Sequence, residues 1–423
     1  MKHESHLWVP GSAPPAIRAH TLEKHKLLEA YLSRYVATLT QNVKVNRLRL
    51  TLVDGFAGGN LYTDMSSSGE LPGSPSIIIN AIREAERLAN EKRKKHFKII
   101  DDYFFIEPDP GAFYHLERTI KASEYAPGVG NNIHVFNEGF AVNSRRIVEF
   151  IQKKSRAGRS IFVLDQCGYD EVPFECIRYI LETVPNAEII LTFAADYLIN
   201  YLTEKRPNRR LKCMPDLDLD ALVSKYDKSD PRWRLLIQLE LHAEVKRYAS
   251  ARFYTPFFIH SKDSHRDLWL VHLSRHYRAR DVMVGVHWDH QNSFAHYGKP
   301  GLKMLGYDQD EDVLHTGQPF FPGFYFDDKA KALTKESLFE ELPALIFEHS
   351  GTIDVRTLFA KISNGTPATS EILVASLLDL ANDHQVVIKD ETGATTRRAG
   401  VQHDSDLIII PRQKRLFFGP NLR

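Results

Sequence analysis

A glycine-rich segment, VDGFAGG at residues 53–59, follows directly after an apolar run and places one carboxylate among small residues. Small residues let the backbone approach a ligand closely, and ligands of parallel α/β sheets bind beyond the carboxyl ends of the strands. The spacing is neither GxGxxG nor GxxxxGK[ST], which excludes the dinucleotide fingerprint and the P-loop. The segment favours a neutral or cationic ligand over a pyrophosphate, with a purely structural turn as the alternative. The candidate ligand-binding residues are Asp54, Gly55, Phe56, Ala57, Gly58 and Gly59.

Polar side chains also follow the next three apolar runs of the chain. Glu107, the pair Asn137 and Glu138, and then Asp165 each stand at the end of one such run. A carboxylate at the position of Glu107 can accept hydrogen bonds from both ribose hydroxyls of a nucleoside cofactor, and Asn137 and Glu138 would lie within reach of an adenine edge. Because the carboxyl ends of parallel strands share one rim, these positions together predict a nucleoside-cofactor cleft.

The elements that must position these residues alternate regularly. A helix covers residues 21–40, and five apolar strands lie around residues 48–53, 103–106, 133–136, 161–164 and 188–193, with helices between them. This alternation predicts an α/β fold with a doubly wound, mostly parallel sheet that is covered on both faces. The runs at 256–259 and 268–273 predict a closing hairpin, and Val282–Val286 predicts a further short strand.

The C-terminal part of the chain shows a different pattern. Residues 298–333 are rich in Gly, Pro, Asp and Phe and predict a connector between a domain of residues 1–297 and a domain of residues 334–423. Helices are expected at about 335–349, 354–361 and 367–383, and apolar strands at 386–388 and 407–410. Three helices followed by a two-stranded hairpin predict a winged helix-turn-helix domain.

Several motifs within residues 20–290 resemble those of the three-Cys-motif partner family of bacterial and phage-linked proteins, namely VDGFAGG, GSPSIIINAI, FFIEPDP, SIFVLDQCGYDEVP and ILTF. The resemblance implies a class I S-adenosylmethionine-dependent methyltransferase fold with S-adenosylmethionine as its cofactor. It implies that the first loop lies under the methionine moiety, that Glu107 holds the ribose, and that Asp165, Gln166 and Tyr169 face the substrate as catalytic residues. The three-Cys motif itself belongs to a radical-enzyme-like protein encoded nearby, which the resemblance implies as a partner.

The fourth-strand loop departs from the family's pattern. Family members carry Asp-Pro, an aromatic residue and glycine where this chain reads Asp165-Gln166-Cys167-Gly168. Amino-methyltransferases use a proline-rich loop here to hold a flipped base, so its loss leaves the acceptor atom open. Cys167 could serve as the nucleophile of a C5-methyltransferase, but inert packing is the favoured reading of a buried cysteine. Tyr169 is either a stacking platform for the substrate or a core tyrosine.

The overall charge is balanced, with 55 basic and 54 acidic residues, so binding to nucleic acid would require local patches. Two basic clusters meet that requirement, the second on the predicted wing. Each could also be a solvated loop, and winged-helix domains also bind proteins. The candidate nucleic-acid-binding residues are Lys205, Arg206, Arg209, Arg210, Lys212, Arg397 and Arg398.

Several other classes of protein are disfavoured. The three cysteines include no Cys-x-x-Cys pair, which predicts a reducing, cytoplasmic setting. The sequence has no secretory signal, no long apolar run, no HExxH spacing and no GxSxG elbow, so we expect no membrane association, no metal site and no serine triad. Three hypotheses remain: a methyltransferase acting on DNA or RNA, a non-catalytic scaffold of the same fold that binds nucleic acid or a partner, and a protein methyltransferase.

Overall fold

The computed structural model divides into two compact units, Met1–Ala295 and His296–Arg423. Each unit is considered by itself. The structure describes residues 8–64, 67, 69–91, 93–154, 158–166, 168–194, 198–200, 202, 210–230, 233–261, 266–290, 295–296, 300–302, 324–349, 352–389 and 408–411.

The strands of the first unit build one large sheet and one small hairpin. They are β1 (Arg47–Asp54), β2 (Leu61–Thr63), β3 (Glu70–Pro72), β4 (Lys98–Ile106), β5 (Ile133–Phe136), β6 (Arg159–Leu164), β7 (Asn186–Phe193), β8 (Phe253–Ser261), β9 (Arg266–Ser274) and β10 (Ala295–His296). Seven of them lie side by side in the order β5-β4-β1-β6-β7-β9-β8. The first five are parallel, and β9 runs antiparallel to both β7 and β8. The predicted α/β fold, its mostly parallel sheet and its closing hairpin are confirmed.

Helices connect and cover these strands. They are α1 (Ala19–Leu39), α2 (Ser74–Glu91), α3 (Pro110–Ala122), α4 (Phe140–Lys154), α5 (Phe174–Thr183), α6 (Leu219–Ser224), α7 (Trp233–Ala249) and α8 (Tyr277–Asp289). Helix α1 contacts both α2 and α8, while α5 contacts α4, α7 and β7. Among the described residues, no helix combines the length and the low polarity that crossing a bilayer requires.

The middle strand β1 is the centre of the core. It pairs in parallel with β4 on one side and β6 on the other, so that Asp54 lies opposite Phe105 and Val163. Leu52 and Val53 have no exposed surface. A parallel strand that is buried on both faces reads as a continuous apolar run, which is why the sequence predicts β1 and its neighbours well.

The strand expected at Val282–Val286 is wrong, because these residues lie inside α8. Every residue from Val282 to Trp288 is buried, so this part of the helix is buried on all sides and shows no amphipathic stripe. A short apolar run without periodicity cannot be distinguished from a strand by its sequence pattern. The N-terminus of α8 is defined instead by His276, whose ring accepts a hydrogen bond from Arg278 N at 3.2 Å.

A feature that the sequence pattern did not predict is the contact between the N-terminal segment and the small hairpin. Strands β2 and β3 pair antiparallel between β1 and α2. Ala16 forms a parallel bridge with Thr63 of β2, which holds the segment before α1 against the hairpin. The N-terminal segment therefore lies close to the loop that follows β1.

The second unit contains helices α9 (Asp328–Glu348), α10 (Val355–Ile362) and α11 (Ser370–Asn382) together with strands β11 (Phe324–Tyr325), β12 (Ile353–Asp354), β13 (Val386–Lys389) and β14 (Ile408–Pro411). Strands β12, β14 and β13 form an antiparallel sheet in that order. Leu338 and Leu342 of α9 and Leu373 and Leu377 of α11 are buried. These apolar side chains give the unit a core of its own.

Helix α9 begins at Asp328, inside the segment predicted as a connector. The reason is local: the Asp327 side chain accepts a hydrogen bond from Ala330 N at 2.7 Å and so caps the helix. Ala330 and Thr334 are buried, which extends the buried face one turn before the predicted start. Arg397 and Arg398, which were placed on the wing, lie outside the described residues.

Candidate functional site at the carboxyl ends of the strands

The strand order contains a topological switch point between β1 and β6. From β1 the chain continues to β4 and β5 on one side, and later returns to β6 and β7 on the other side. Helices that leave the two strands in opposite directions open a crevice at their carboxyl ends, and ligands of open α/β sheets bind there. The residues that end β1 and β6, Asp54 and Asp165, flank this crevice.

Asp54 is fully buried. Its Oδ1 accepts a hydrogen bond from Phe56 N at 3.1 Å, whereas Oδ2 has no hydrogen-bond partner among the described residues. Burial raises the pKa of Asp54 to about 7, and the charges of Asp165 and Glu107 add to the increase, while Ser74 and Phe56 oppose it. Glu107 and Asp165, which the sequence placed on one rim with Asp54, therefore lie near enough to Asp54 to raise its pKa.

The loop after β1 is tied to both neighbouring strands. Gly55 N donates to Val163 O at 2.8 Å, and Ala57 N donates to Ile106 O at 3.0 Å. A side chain at Gly55 would meet Leu164 at 2.7 Å, so this glycine is required for packing. Gly58 has a φ of +59°, which a residue with a side chain rarely adopts. Two of the glycines are therefore explained by the fold itself.

Glu107 is 8% exposed, and both of its carboxylate oxygens already accept hydrogen bonds. Gly58 N donates to Oε2 at 2.9 Å, and Asp109 N donates to Oε1 at 2.8 Å. Burial raises the pKa of Glu107, against the lowering effect of these two amides. Each oxygen keeps further acceptor capacity, so Glu107 both anchors the glycine loop and remains able to accept from a ligand.

Asn137 and Glu138 are both exposed at the end of β5. Asn137 Nδ2 donates to Glu107 O at 2.9 Å, which connects the end of β5 to the end of β4. Glu138 Oε2 accepts from Asn143 Nδ2 at 3.0 Å. Asn137 thus contacts the backbone of the neighbouring strand end, and Glu138 contacts the first turns of α4, while their role towards an adenine stays a prediction.

Asp165, at the end of β6, is paired with Lys24 of α1. Lys24 Nζ lies 2.5 Å from each of the two carboxylate oxygens. Burial by itself would raise the pKa of Asp165, but the charge and the hydrogen bond of Lys24, helped by Thr192 and His25, outweigh it, and the pKa lies below its ordinary value. The neighbouring His25 is buried, and this burial lowers its pKa to about 4. Asp165 is therefore an ionised carboxylate, and His25 beside it is a neutral imidazole.

Gln166 has a structural role in the loop after β6. Its Nε2 donates to Thr192 O at 3.1 Å, and its Oε1 accepts from Glu171 N at 3.0 Å and Val172 N at 3.1 Å. The side chain is 3% exposed, so its amide holds the loop together. Tyr169 is half-buried, and its ring lies 6.5 Å from that of Phe193, edge to face. A catalytic role for either residue stays a prediction.

The structure describes only part of the cysteines and of the predicted basic clusters. Cys167 lies outside the described residues, whereas Cys213 is buried, and burial together with Asp170 raises the pKa of its thiol. Arg210 and Lys212 are exposed. The other predicted nucleic-acid-binding residues lie outside the described part of the chain, namely Lys205, Arg206, Arg209, Arg397 and Arg398. Within the described ranges, no group of three or more His, Cys, Asp or Glu side chains could hold a metal ion.

Two residues of this rim were missed by the sequence reasoning. Lys24 continues the buried stripe of α1, since it stands four residues before Leu28 and seven before Tyr31, so extending that stripe by one turn would have found it. Trp8 stands in a proline-rich lead-in with no periodic pattern, and no sequence signal indicates where it packs. Its indole lies against the glycine loop, and Nε1 donates to Leu61 O at 3.2 Å.

Comparisons with known proteins found only remote similarities. No protein-family profile and no curated protein matches the chain, so the resemblance to three-Cys-motif partner proteins stays a prediction. A solved DUF519-family protein of Legionella pneumophila str. Philadelphia 1 is 11% identical, with a TM-score of 0.33 over 60% of this chain and 85% of that chain. A proposed O-methyltransferase from Klebsiella pneumoniae is 11% identical, with a TM-score of 0.26 over 57% of this chain and 79% of that chain. A proposed methyltransferase from Thermobifida fusca is 11% identical, with a TM-score of 0.25 over 63% of this chain and 84% of that chain.

Likenesses at this identity carry no inference about activity. The fold assignment depends on the sheet itself: seven strands, mostly parallel and flanked by helices, form a Rossmann-like α/β fold.

Proposed function

We propose that this chain is an S-adenosylmethionine-dependent methyltransferase that acts on nucleic acid, with the cofactor in the cleft at the carboxyl ends of β1, β4, β5 and β6. The observation that carries this proposal is the arrangement of Asp54, Glu107 and Asp165. They end three adjacent parallel strands around the switch point, and the charges of Glu107 and Asp165 reach Asp54. Carboxylates gathered in one crevice suit a ligand that carries positive charge and hydroxyl donors.

The residues present fit the proposed cofactor. S-adenosylmethionine carries an ammonium group, a sulfonium group and two ribose hydroxyls, and when bound it would supply an electrophilic methyl group. The buried Oδ2 of Asp54, which has no partner among the described residues, would gain one from a cationic ligand. Glu107 would accept the ribose hydroxyls while its present amide contacts hold the glycine loop in place.

Asp165 is the residue that we assign to the substrate side. It ends β6, across the switch point from the strands that carry Glu107 and Asn137. Because Lys24 holds it ionised, it can accept a hydrogen bond from a donor group of the acceptor base. Tyr169, three residues beyond Gln166 in the same loop, is the candidate platform on which that base would stack.

The nucleic-acid substrate is inferred from charge and from the second unit. From α9 onward, the elements of that unit follow the order helix, strand, helix, helix, strand, strand, and β14 lies between β12 and β13. This order supports a winged helix-turn-helix domain, whose wing would be the segment between β13 and β14 that carries Arg397 and Arg398. The exposed Arg210 and Lys212 belong to the other basic cluster, which follows β7 in the chain.

Two measurements test the proposal in sequence. Isothermal titration calorimetry with S-adenosylhomocysteine should detect binding at a single site, and the variant Glu107→Ala should weaken it by about 1.5–3 kcal/mol, the scale of a hydrogen bond to a charged group. Transfer of a tritiated methyl group should then be measured on DNA, RNA and cell lysate. The proposal fails if no form of the protein binds S-adenosylmethionine or S-adenosylhomocysteine, and its substrate assignment fails if only protein is labelled.

A non-catalytic scaffold of the same fold is the second candidate, and one observation favours it. The polar groups of Glu107, Asp165 and Gln166 are already satisfied by contacts within the protein. A site that is internally satisfied needs no ligand to be stable. Binding of nucleic acid without affinity for the cofactor and without methyl transfer would identify this candidate.

A further inference from the structure

The N-terminal segment forms a strap that is anchored at one end. Thr63 of β2 provides the anchor: its N donates to Pro15 O at 2.9 Å, its Oγ1 donates to Pro14 O at 2.8 Å, and its O accepts from Ile17 N at 3.0 Å. Helix α1 begins directly afterwards, at Ala19. Residues 14–17 are thus held as firmly as an additional short strand.

At the other end of its described part, the strap carries Trp8, its tip, which packs on the glycine loop. A Cβ atom at Gly59 would overlap the indole, and a Cβ atom at Gly58 would lie 3.0 Å from it. Nε1 donates to Leu61 O at 3.2 Å, and the ring lies 5.3 Å from that of Tyr62, edge to face. The indole therefore fills the space that the absent side chains of Gly58 and Gly59 leave open.

The backbone of the same residue reaches the other side of the rim. A Cβ atom at Gly111 would overlap the carbonyl oxygen of Trp8, and His115 Nε2 lies 3.0 Å from Val9 O. Gly111 stands in the first turn of α3, four residues after Glu107. Trp8 therefore lies against both the glycine loop and the first turn of α3, the two segments that flank Glu107.

The part between anchor and tip is loosely held. Val9 is 50% exposed, residues 10–13 are exposed, and Gly11 adopts a φ of +83° at a turn that Ser12 N closes onto Val9 O at 3.0 Å. Segments with little buried surface open at low free-energy cost compared with the core. The strap can therefore release its tip while residues 14–17 stay in place.

We propose that Trp8 is a displaceable plug of the cofactor cleft, so that the strap regulates access to the site. The inference depends on the function proposed above, because it assigns the cleft to a nucleoside cofactor. If the plug closes the site in most molecules, the apparent affinity equals the intrinsic affinity multiplied by the fraction of molecules that are open. Entry of the cofactor would move the indole off Gly58 and Gly59 and leave the anchor at Thr63 intact.

The test compares the wild-type protein with Trp8→Ala, with Trp8→Phe and with a chain that lacks residues 1–13. Calorimetry with S-adenosylhomocysteine should show roughly tenfold tighter binding for Trp8→Ala and for the shortened chain, as expected if about one molecule in ten is open. Trp8→Phe keeps an aromatic ring at the loop and should bind nearly as the wild type does. In stopped-flow mixing, the wild type should show a binding rate that levels off at high ligand concentration, and Trp8→Ala should not.

Each outcome decides the matter. Tighter binding by both plug-free forms, or binding by these forms alone, supports the plug. Circular dichroism must show an intact fold for Trp8→Ala and for the shortened chain. If the wild type then binds and Trp8→Ala binds equally or more weakly, the plug is wrong and the cofactor proposal stands. If no form binds S-adenosylhomocysteine, the proposed function and the plug both fail.

Discussion

Lys24 Nζ of α1 lies 2.5 Å from both carboxylate oxygens of Asp165, at the end of β6. The side chains are 13% and 30% exposed, so the pair is shielded from water on most sides. A carboxylate that loses hydration must gain an equivalent partner, and here the ammonium group supplies it. The contact joins the first helix to the fourth strand of the parallel sheet and holds the substrate-side carboxylate ionised.

Replacing Lys24 by methionine, which keeps most of the chain length, should leave Asp165 without its counter-charge. We expect the free energy of unfolding to fall by roughly 1–3 kcal/mol, less than for a fully buried pair because Asp165 keeps some contact with water. The loss should be present at neutral pH and shrink as the pH falls through the lowered pKa of Asp165, since the protonated acid has no need of the pair. Urea denaturation at several pH values measures both effects.

A double-mutant cycle provides the control for this prediction. In the background of Asp165→Asn, the change Lys24→Met should cost less than it does in the wild type, and the difference should be on the order of 1 kcal/mol. Equal costs in both backgrounds would show that the ion pair contributes nothing and that Lys24 acts only through packing.

Asp165→Asn should abolish methyl transfer while leaving the affinity for S-adenosylhomocysteine within about twofold, because its proposed role lies on the substrate side. The amide keeps the shape of the carboxylate but adds a donor where only acceptors are needed. Glu182→Gln, an exposed acid of α5, serves as the matched control and should keep full activity. Methyl transfer and calorimetry on the same preparations check the prediction, and an active Asp165→Asn enzyme would contradict it.

The ends of the parallel strands could be predicted because two physical signals coincide there. Strands buried on both faces read as continuous apolar runs, and the polar residue at each end marks the rim. Asp54, Glu107 and Asp165 were therefore placed on one edge from the sequence, and the sheet order confirms this edge. The electrostatic effect of Glu107 and Asp165 on Asp54 is a consequence of that shared position.

What could not be predicted depends on contacts between distant parts of the chain. The Lys24–Asp165 pair spans 141 positions, and the Trp8–Leu61 hydrogen bond spans 53. The stripe of α1 includes the position of Lys24 but does not identify Asp165 as its partner, and no periodic pattern includes Trp8, since each contact depends on how an element packs after the sheet has formed. The same glycines that indicated a ligand loop also make room for Trp8, so composition alone does not distinguish a ligand from the protein's own side chain.

Asp54→Asn should change how stability depends on pH. The pKa of Asp54 rises from 3.8 to about 7 in the folded protein, so folding favours the protonated acid. The stability that the protonated Asp54 contributes is fully present below the pKa of the unfolded state, and it is lost as the pH rises through the pKa of the folded state. The asparagine of the variant does not ionise, so the variant does not lose this stability. Its free energy of unfolding, relative to that of the wild type, should increase between about pH 4 and 7, by on the order of 4 kcal/mol at most. Thermal unfolding across that range measures the difference, and parallel curves for both proteins would refute it.

Binding to nucleic acid should depend steeply on salt, with a slope set by the number of phosphates that the protein neutralises. Replacing Arg206, Arg209 and Arg210 by alanine should weaken binding and flatten the slope by up to about 2.7, since each phosphate contact contributes roughly 0.9. The matched control replaces Lys44, Lys94 and Lys95, which are exposed and precede the amino ends of β1 and β4, at the opposite rim of the sheet. This control should leave the slope unchanged, and neither triple variant should alter cofactor affinity.

Removing the second unit provides an independent test of nucleic-acid binding. Deleting residues from 328 onward, where α9 begins, should abolish binding of DNA or RNA while the first unit stays folded, because the buried leucines of α9 and α11 form a core that the first unit does not share. Gel-shift titrations at several salt concentrations, with circular dichroism of the shortened chain, provide the measurement. If the intact protein ignores both DNA and RNA at low salt, the two basic clusters are solvated loops, and the second unit is then better explained as a docking domain for a protein partner.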